Sequence, residues 1–138
     1  MKKLITLFAA LCLMSASYAA YATGIFDKNF TGKQIEHYAD GKPKYEVNVI
    51  KGKKQGLETF WYASGKPYIQ TNYVDDKEDG VWNQWYENGQ KRVEGNFVNG
   101  KKEGLETAWN KDGSVKYTNT YANGQEIKPQ EVNPAETK

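Results

Sequence analysis

The sequence predicts an all-β fold: an elongated antiparallel meander of about four stacked 24-residue β-hairpin repeats. Three observations carry this. Gly41, Gly65, Gly89 and Gly113 are each 24 residues apart, and so are Gly32, Gly56, Gly80 and Gly104. A fixed period in the range of roughly 20–50 residues marks a stacked array. A turn pair recurs once per unit, at Asp40–Gly41, Ser64–Gly65, Asn88–Gly89 and Asp112–Gly113, and such pairs supply the positive φ that tight hairpin turns need. Between the turns, apolar residues fall on alternate positions, as in Tyr45, Val47 and Val49 or in Val93 and Phe97. Period two is the pattern of a strand.

The elements follow in order. Residues 1–22 have a basic start, an apolar run from Leu4 to Met14 and a small-residue end, which together make a secretory signal peptide. The apolar run is about 11 residues, short of the roughly 20 that span a bilayer. Cleavage after Ala19 and cleavage after Ala22 both fit. The one cysteine, Cys12, lies inside this segment, and the large Leu11 before it argues against a lipoprotein site. Beyond the signal the chain has no cysteine, so disulfides contribute nothing to its stability. Residues 23–31 form a lead-in. Units 32–55, 56–79, 80–103 and 104–127 each supply two strands, eight in all. The polar second segment of each unit, such as "IKGKKQG" or "VNGKKEG", turns the chain into the next hairpin. Pro43 and Pro67 sit just after a turn, where a missing N–H costs least. Residues 128–138 contain Pro129 and Pro134 and no aromatic residue, and are expected to be a solvated tail.

Charge narrows the partners. Lys2 and Lys3 leave with the signal, which brings the 19 basic residues level with the 17 acidic ones. A neutral chain lacks the basic surface that nucleic acid requires and has little pull on anionic lipid. Aromatic residues are 14% of the chain, while its mean hydropathy is −0.83. Such a chain builds a thin sheet with aromatic ribs rather than a thick core. Charged residues on both faces of the strands ("KRVEGN", "KKEGLE") leave no lipid-facing band for a membrane barrel.

No residue is marked out for catalysis, for a cofactor or for a metal. A nucleophile needs a base held beside it, and the one histidine, His37, sits in a column otherwise occupied by tryptophan. Asp75, Asp76, Glu78 and Asp79 gather in one segment, but without the ordered ligand pattern of a calcium loop. They are taken as a solvated turn, with calcium binding as the alternative.

The aromatic columns are the informative residues. Tyr38, Tyr62 and Tyr86 form one column, and Trp61, Trp85 and Trp109 the next, with Trp82 close by. Adjacent positions on a strand point to opposite faces, and a thin sheet cannot bury both. One ladder is core, held by cross-strand pairs, and the other is a contact surface. Tyr38, Trp61, Tyr62, Trp82, Trp85, Tyr86 and Trp109 are therefore the candidate binding residues. The terminal strands, near Gln34–Tyr38 and Lys116–Tyr121, are open edges that could pair with a partner strand or a second copy. The Lys-rich segments 51–54 and 101–102 are solvated turns, with a preference for an acidic partner as the alternative.

The unit, glycine followed by Trp-Tyr, then Gly-Lys, an aromatic residue and a second Gly-Lys, resembles the bacterial variant of the MORN repeat. Its best copies run Gly56–Gly80 and Gly80–Gly104. The copy from Gly32 has His37 in place of Trp, and the copy from Gly104 has Asn110 in place of Tyr. Within that family the chain is similar to YwqK-type antitoxin proteins. The resemblance implies a stacked-hairpin sheet that binds partners, and an antitoxin or immunity role. With the signal peptide it implies a non-catalytic protein of the periplasm or the secreted fraction that binds a protein such as a toxin or secreted effector. The alternative is a cell-envelope ligand binder, for a glycan, a choline-like group held by aromatic rings or a lipid.

Overall fold

Two kinds of turn alternate along the chain and build one sheet. The structure, a computed structural model, describes residues 26–127. The expected signal peptide with its two possible cleavage sites, Cys12 and the expected solvated tail lie outside the described residues. The strands are β1 Gly32–His37, β2 Pro43–Ile50, β3 Lys53–Trp61, β4 Pro67–Val74, β5 Lys77–Trp85, β6 Lys91–Val98, β7 Lys101–Lys102, β8 Gly104–Trp109, β9 Val115–Ala122 and β10 Gln125–Glu126. They form a single antiparallel sheet in chain order, with the short β7 beside β6. No helix occurs among the described residues.

The first kind of turn lies at the glycine pairs. The Gly41 N–H donates to the Tyr38 carbonyl (2.9 Å), and the Tyr38 N–H donates to the Lys42 carbonyl (2.8 Å). The same pair of bonds recurs at 62–66, 86–90 and 110–114. Only the glycine has positive φ here, as at Gly41 (84°) and Gly89 (91°). The Asp40, Asn88 and Asp112 side chains instead accept the N–H two residues on, the local bond that makes these residues turn formers. Hydrogen bonds from Lys42 and from Ser114 hold the Asp40 and Asp112 carboxyls below the usual range.

The second kind lies at the other end of the strands. Lys51–Gly52, Asp75–Asp76, Asn99–Gly100 and Asn123–Gly124 have positive φ at both residues. That is the two-residue hairpin turn whose twist matches the strands. Asp75 and Asp76 adopt it at 50° and 68° without a glycine, a conformation that aspartate tolerates better than most residues. The acidic segment is therefore not one loop: Asp75–Asp76 is the turn, and Glu78 and Asp79 belong to β5.

Two kinds of bulge shape the sheet. After each glycine turn the register skips one residue: Lys44, Tyr68, Arg92 and Lys116 in successive units. Near Gly56 and Gly80, three residues oppose one across the pair to the preceding strand, and Gly56, Gly80 and Gly104 all have positive φ. In the fourth unit this bulge divides the strand into β7 and β8. The chain then turns once more to form β10. The described residues thus hold ten strands rather than the eight expected, because a bulge interrupts one strand and the last turn starts another.

By register, Tyr45, Val47, Val49, Phe60, Ile69, Thr71, Tyr73, Trp82, Val93, Phe97, Ala108 and Tyr117 share one face, here the inner face. Ile50, Leu57, Val74, Val81, Val98 and Leu105 share the outer face and are exposed. The core is concentrated at the first unit, where Tyr45, Val47 and Val49 are buried and Phe26, Phe30 and Phe60 pack against them. The lead-in is thus a cap on the first unit. Its backbone runs so close to Gly52 that a Cβ there would lie 2.7 Å from the Asp27 carbonyl oxygen. The inner face opens toward the other end: Tyr45 is 2% exposed, while Tyr117, three units on in the same column, is 40% exposed.

Candidate functional site

The repeat explains its own tyrosine column. The Tyr38, Tyr62 and Tyr86 hydroxyls donate to the backbone carbonyls of Trp61 (2.6 Å), Trp85 (2.7 Å) and Trp109 (2.9 Å). Each tyrosine locks its turn to the next unit. Asn110, in the fourth position of this column, instead donates to the Ser114 hydroxyl (3.0 Å).

A second lock runs along the opposite edge. The Gly52, Asp76, Gly100 and Gly124 N–H groups donate to the carbonyls of Phe30, Lys54, Glu78 and Lys102 at 2.8–3.1 Å. The N–H of the preceding residue (51, 75, 99 and 123) donates to a side-chain oxygen of Thr31, Gln55, Asp79 and Glu103. Asp76 also accepts the Lys54 N–H at 2.7 Å. Asp76 and Asp79 are thereby spent on backbone donors, the demand that every turn has to meet.

The seven candidate residues do not form one exposed stripe. All are half-buried. Trp61, Trp85 and Trp109 sit at strand ends and lend their carbonyls to the tyrosine locks. Trp82 lies on the inner face, 6.1 Å from Phe97 and against Gly95, where a Cβ would come within 2.5 Å of its Nε1. That buried N–H has no hydrogen-bond partner among the described residues.

Trp82, Tyr86 and Trp109 do come together. With Gln84, Arg92, Val93, Lys102, Glu106, Ala108, Lys116 and Tyr117 they line a groove of about 310 Å³ across the third and fourth units. The Arg92 guanidinium stands 5.5 Å above the Tyr86 ring and the Lys111 ammonium 6.0 Å above the same ring. Lys102 pairs with the buried Glu106 and lies over the Trp82 and Tyr121 rings. Burial alone would lower the Lys102 pKa, but the hydrogen bond and charge of Glu106 outweigh it and raise it. No carboxylate among the described residues pairs with Arg92 or Lys116.

A polar strip continues the inner face toward the core. Lys54 and the Tyr45 hydroxyl both donate to the buried Glu58, at 2.6 and 2.7 Å. Burial and the nearby Glu58 push the Glu78 carboxyl up, against Lys54 and Lys102. Burial, with Glu58 and Glu78, likewise raises the Tyr73 hydroxyl far above its ordinary value.

Sequence reasoning missed Arg92 and Glu106, and it named Lys102 only within a Lys-rich turn and Lys116 and Tyr117 only within an open edge strand, not as walls of one groove. The available signal was the column Lys44, Tyr68, Arg92, Lys116, cationic at three of its four positions. The bulge residue it marks is the one re-aimed onto the inner face. The assembled groove offers fixed positive charge and aromatic surface, which suit it to hold an anionic group beside an apolar one.

Comparison with known proteins gives a matching repeat and no close relative. The family model described as the MORN repeat variant matches residues 30–51, 54–75 and 78–99. These segments begin at Phe30, Lys54 and Glu78, the residues whose carbonyls receive the turn N–H. The unit that starts at Lys102 makes the same bonds outside the matched segments. No curated protein matches. Among solved structures, a mutant of S. aureus TarM in complex with fondaparinux, alpha-GlcNAc-glycerol and UDP is 15% identical with a TM-score of 0.43, covering 70% of this chain and 19% of that one. A second TarM structure is 13% identical with the same TM-score, covering 84% and 23%. The chain spans about a fifth of the length of these proteins, and a likeness this distant carries no argument about function.

Proposed function

The chain carries an array of MORN repeat variants, and we propose that it is a non-catalytic, extracytoplasmic binding protein whose partner is another protein, in the manner of an antitoxin or immunity protein. The observation that carries this is the groove of the third and fourth units. The periodic locks use up the tyrosine hydroxyls and turn donors, while Arg92, Lys116 and Tyr117 are left exposed around aromatic walls. Desolvated aromatic anchors with charged residues beside them are the usual centre of a protein interface. The signal-peptide pattern of residues 1–22 supports secretion, and the resemblance of the repeat to YwqK-type proteins supports the antitoxin role.

The test is affinity capture from the envelope fraction of the source cells, with the parent and with an Arg92→Gln, Lys116→Gln variant. Truncating Tyr86 would be a poor control, since it cuts a lock between units. A protein captured by the parent alone, toxic when expressed in the envelope and neutralised by the chain, is the expected result. Retention on peptidoglycan or lipid vesicles with no captured protein would replace this function with envelope-ligand binding.

A further inference from the structure

We propose that the groove is a docking site for an extended acidic segment of the partner protein, laid along the free edge of β9 with a carboxylate between Arg92 and Lys116. This rests on the protein-binder function above.

The repeat supplies its own comparison. In the first unit the bulge-column cation Lys44 is paired with Glu36 (3.4 Å). The positions equivalent to Glu36 in the third and fourth units are Gln84 and Ala108, both in the groove wall. The cations recur there as Arg92 and Lys116, and the carboxylate does not. An incoming carboxylate takes up the role that Glu36 fills internally. Beside a guanidinium in a partly desolvated groove, such a bond is stronger than a neutral one. Lys111 adds a further positive charge over the Tyr86 ring, and Lys102 is already neutralised by Glu106.

The edge favours a peptide over an acidic glycan. In the third unit, Val93 and Glu94 of β6 are met by Ala108 and Thr107 of β8. Their equivalents in β9 are Tyr117 and Thr118, and no described strand lies beyond them. β10 reaches only Tyr121 and Ala122. A strand edge of this kind takes an added strand through backbone hydrogen bonds. Side chains alternating from that strand fall on the inner face beside Tyr117, at the mouth of the groove.

The experiment titrates the full chain with a blocked octapeptide alternating glutamate and threonine. Its glutamine counterpart and tetragalacturonate serve as comparisons. Binding is read by tryptophan fluorescence and by amide exchange at Thr118. The expected result is binding of the glutamate peptide at least ten-fold tighter than the glutamine one, weakening with salt, with slowed exchange at Thr118. The Arg92→Gln, Lys116→Gln variant should lose at least ten-fold, and Lys53→Gln, on the outer face, nothing. Equal binding of the two peptides, binding of tetragalacturonate alone, or indifference to the double substitution would overturn the proposal. A partner protein captured equally by parent and double variant would remove this site and leave the binder function standing.

Discussion

Single residues show why periodicity and contact are different kinds of information. The Tyr38–Tyr62–Tyr86 column was visible as a repeated aromatic, and an exposed stripe was the natural inference. The hydroxyl's target is a carbonyl 23 residues on, and meeting it depends on a turn conformation that spacing alone does not reveal. Tyr62→Phe should cost about 1 kcal/mol, the net worth of one hydrogen bond, seen as a lower urea midpoint at unchanged slope. Glu78 gives a pH test. Its carboxyl is pushed up from the model-compound value of 4.5 by burial and Glu58, so the folded state holds a proton that the unfolded state releases. Stability is therefore favoured in acid and declines as pH rises from about that value through the raised folded pKa. Glu78→Gln should be more stable than the parent at pH 7, with the gain vanishing near pH 4. A gain independent of pH, in urea melts across that range, would assign the effect to packing.

Elements were legible where local chemistry decides them. Asn-Gly and Asp-Gly pairs need no partner to favour a turn, and period-two patterns pick out strands by themselves. Bulges were not legible, because they are settled by the register between strands, which neighbours fix. That is why Arg92 was overlooked and Lys116 was read only as part of an edge strand: nothing in their immediate sequence says that the chain turns them onto the inner face. The lead-in cap was missed for the same reason, as its docking depends on Gly52, some 20 residues on. Gly52→Ala combines positive φ (77°) with the 2.7 Å clash against Asp27. It should destabilise the first unit by more than 1 kcal/mol and speed amide exchange at Phe30. An unchanged melting curve would show that residues 26–31 contribute little.

Across the whole molecule, burial falls from the capped first unit to the open fourth, while free charge and aromatic surface increase. The main buried cluster and the proposed binding site thus lie at different ends of one sheet. The capped end holds the largest buried cluster, and the other end, whose core is thinner, carries unpaired cations, a groove and a strand edge unpaired among the described residues. In repeat arrays each unit is stabilised by its neighbours, so the fourth, with a neighbour on one side among the described residues, should open first. The most direct test is residue-resolved hydrogen exchange on the protein alone and bound to its captured partner. The account predicts that β8 and β9 exchange faster than β2 and β3 in the free protein. It also predicts that the partner slows exchange mainly at Lys116–Thr118 and around Arg92. Partner-induced protection centred on the first unit, or on the outer-face row Leu57, Val81 and Leu105, would contradict it.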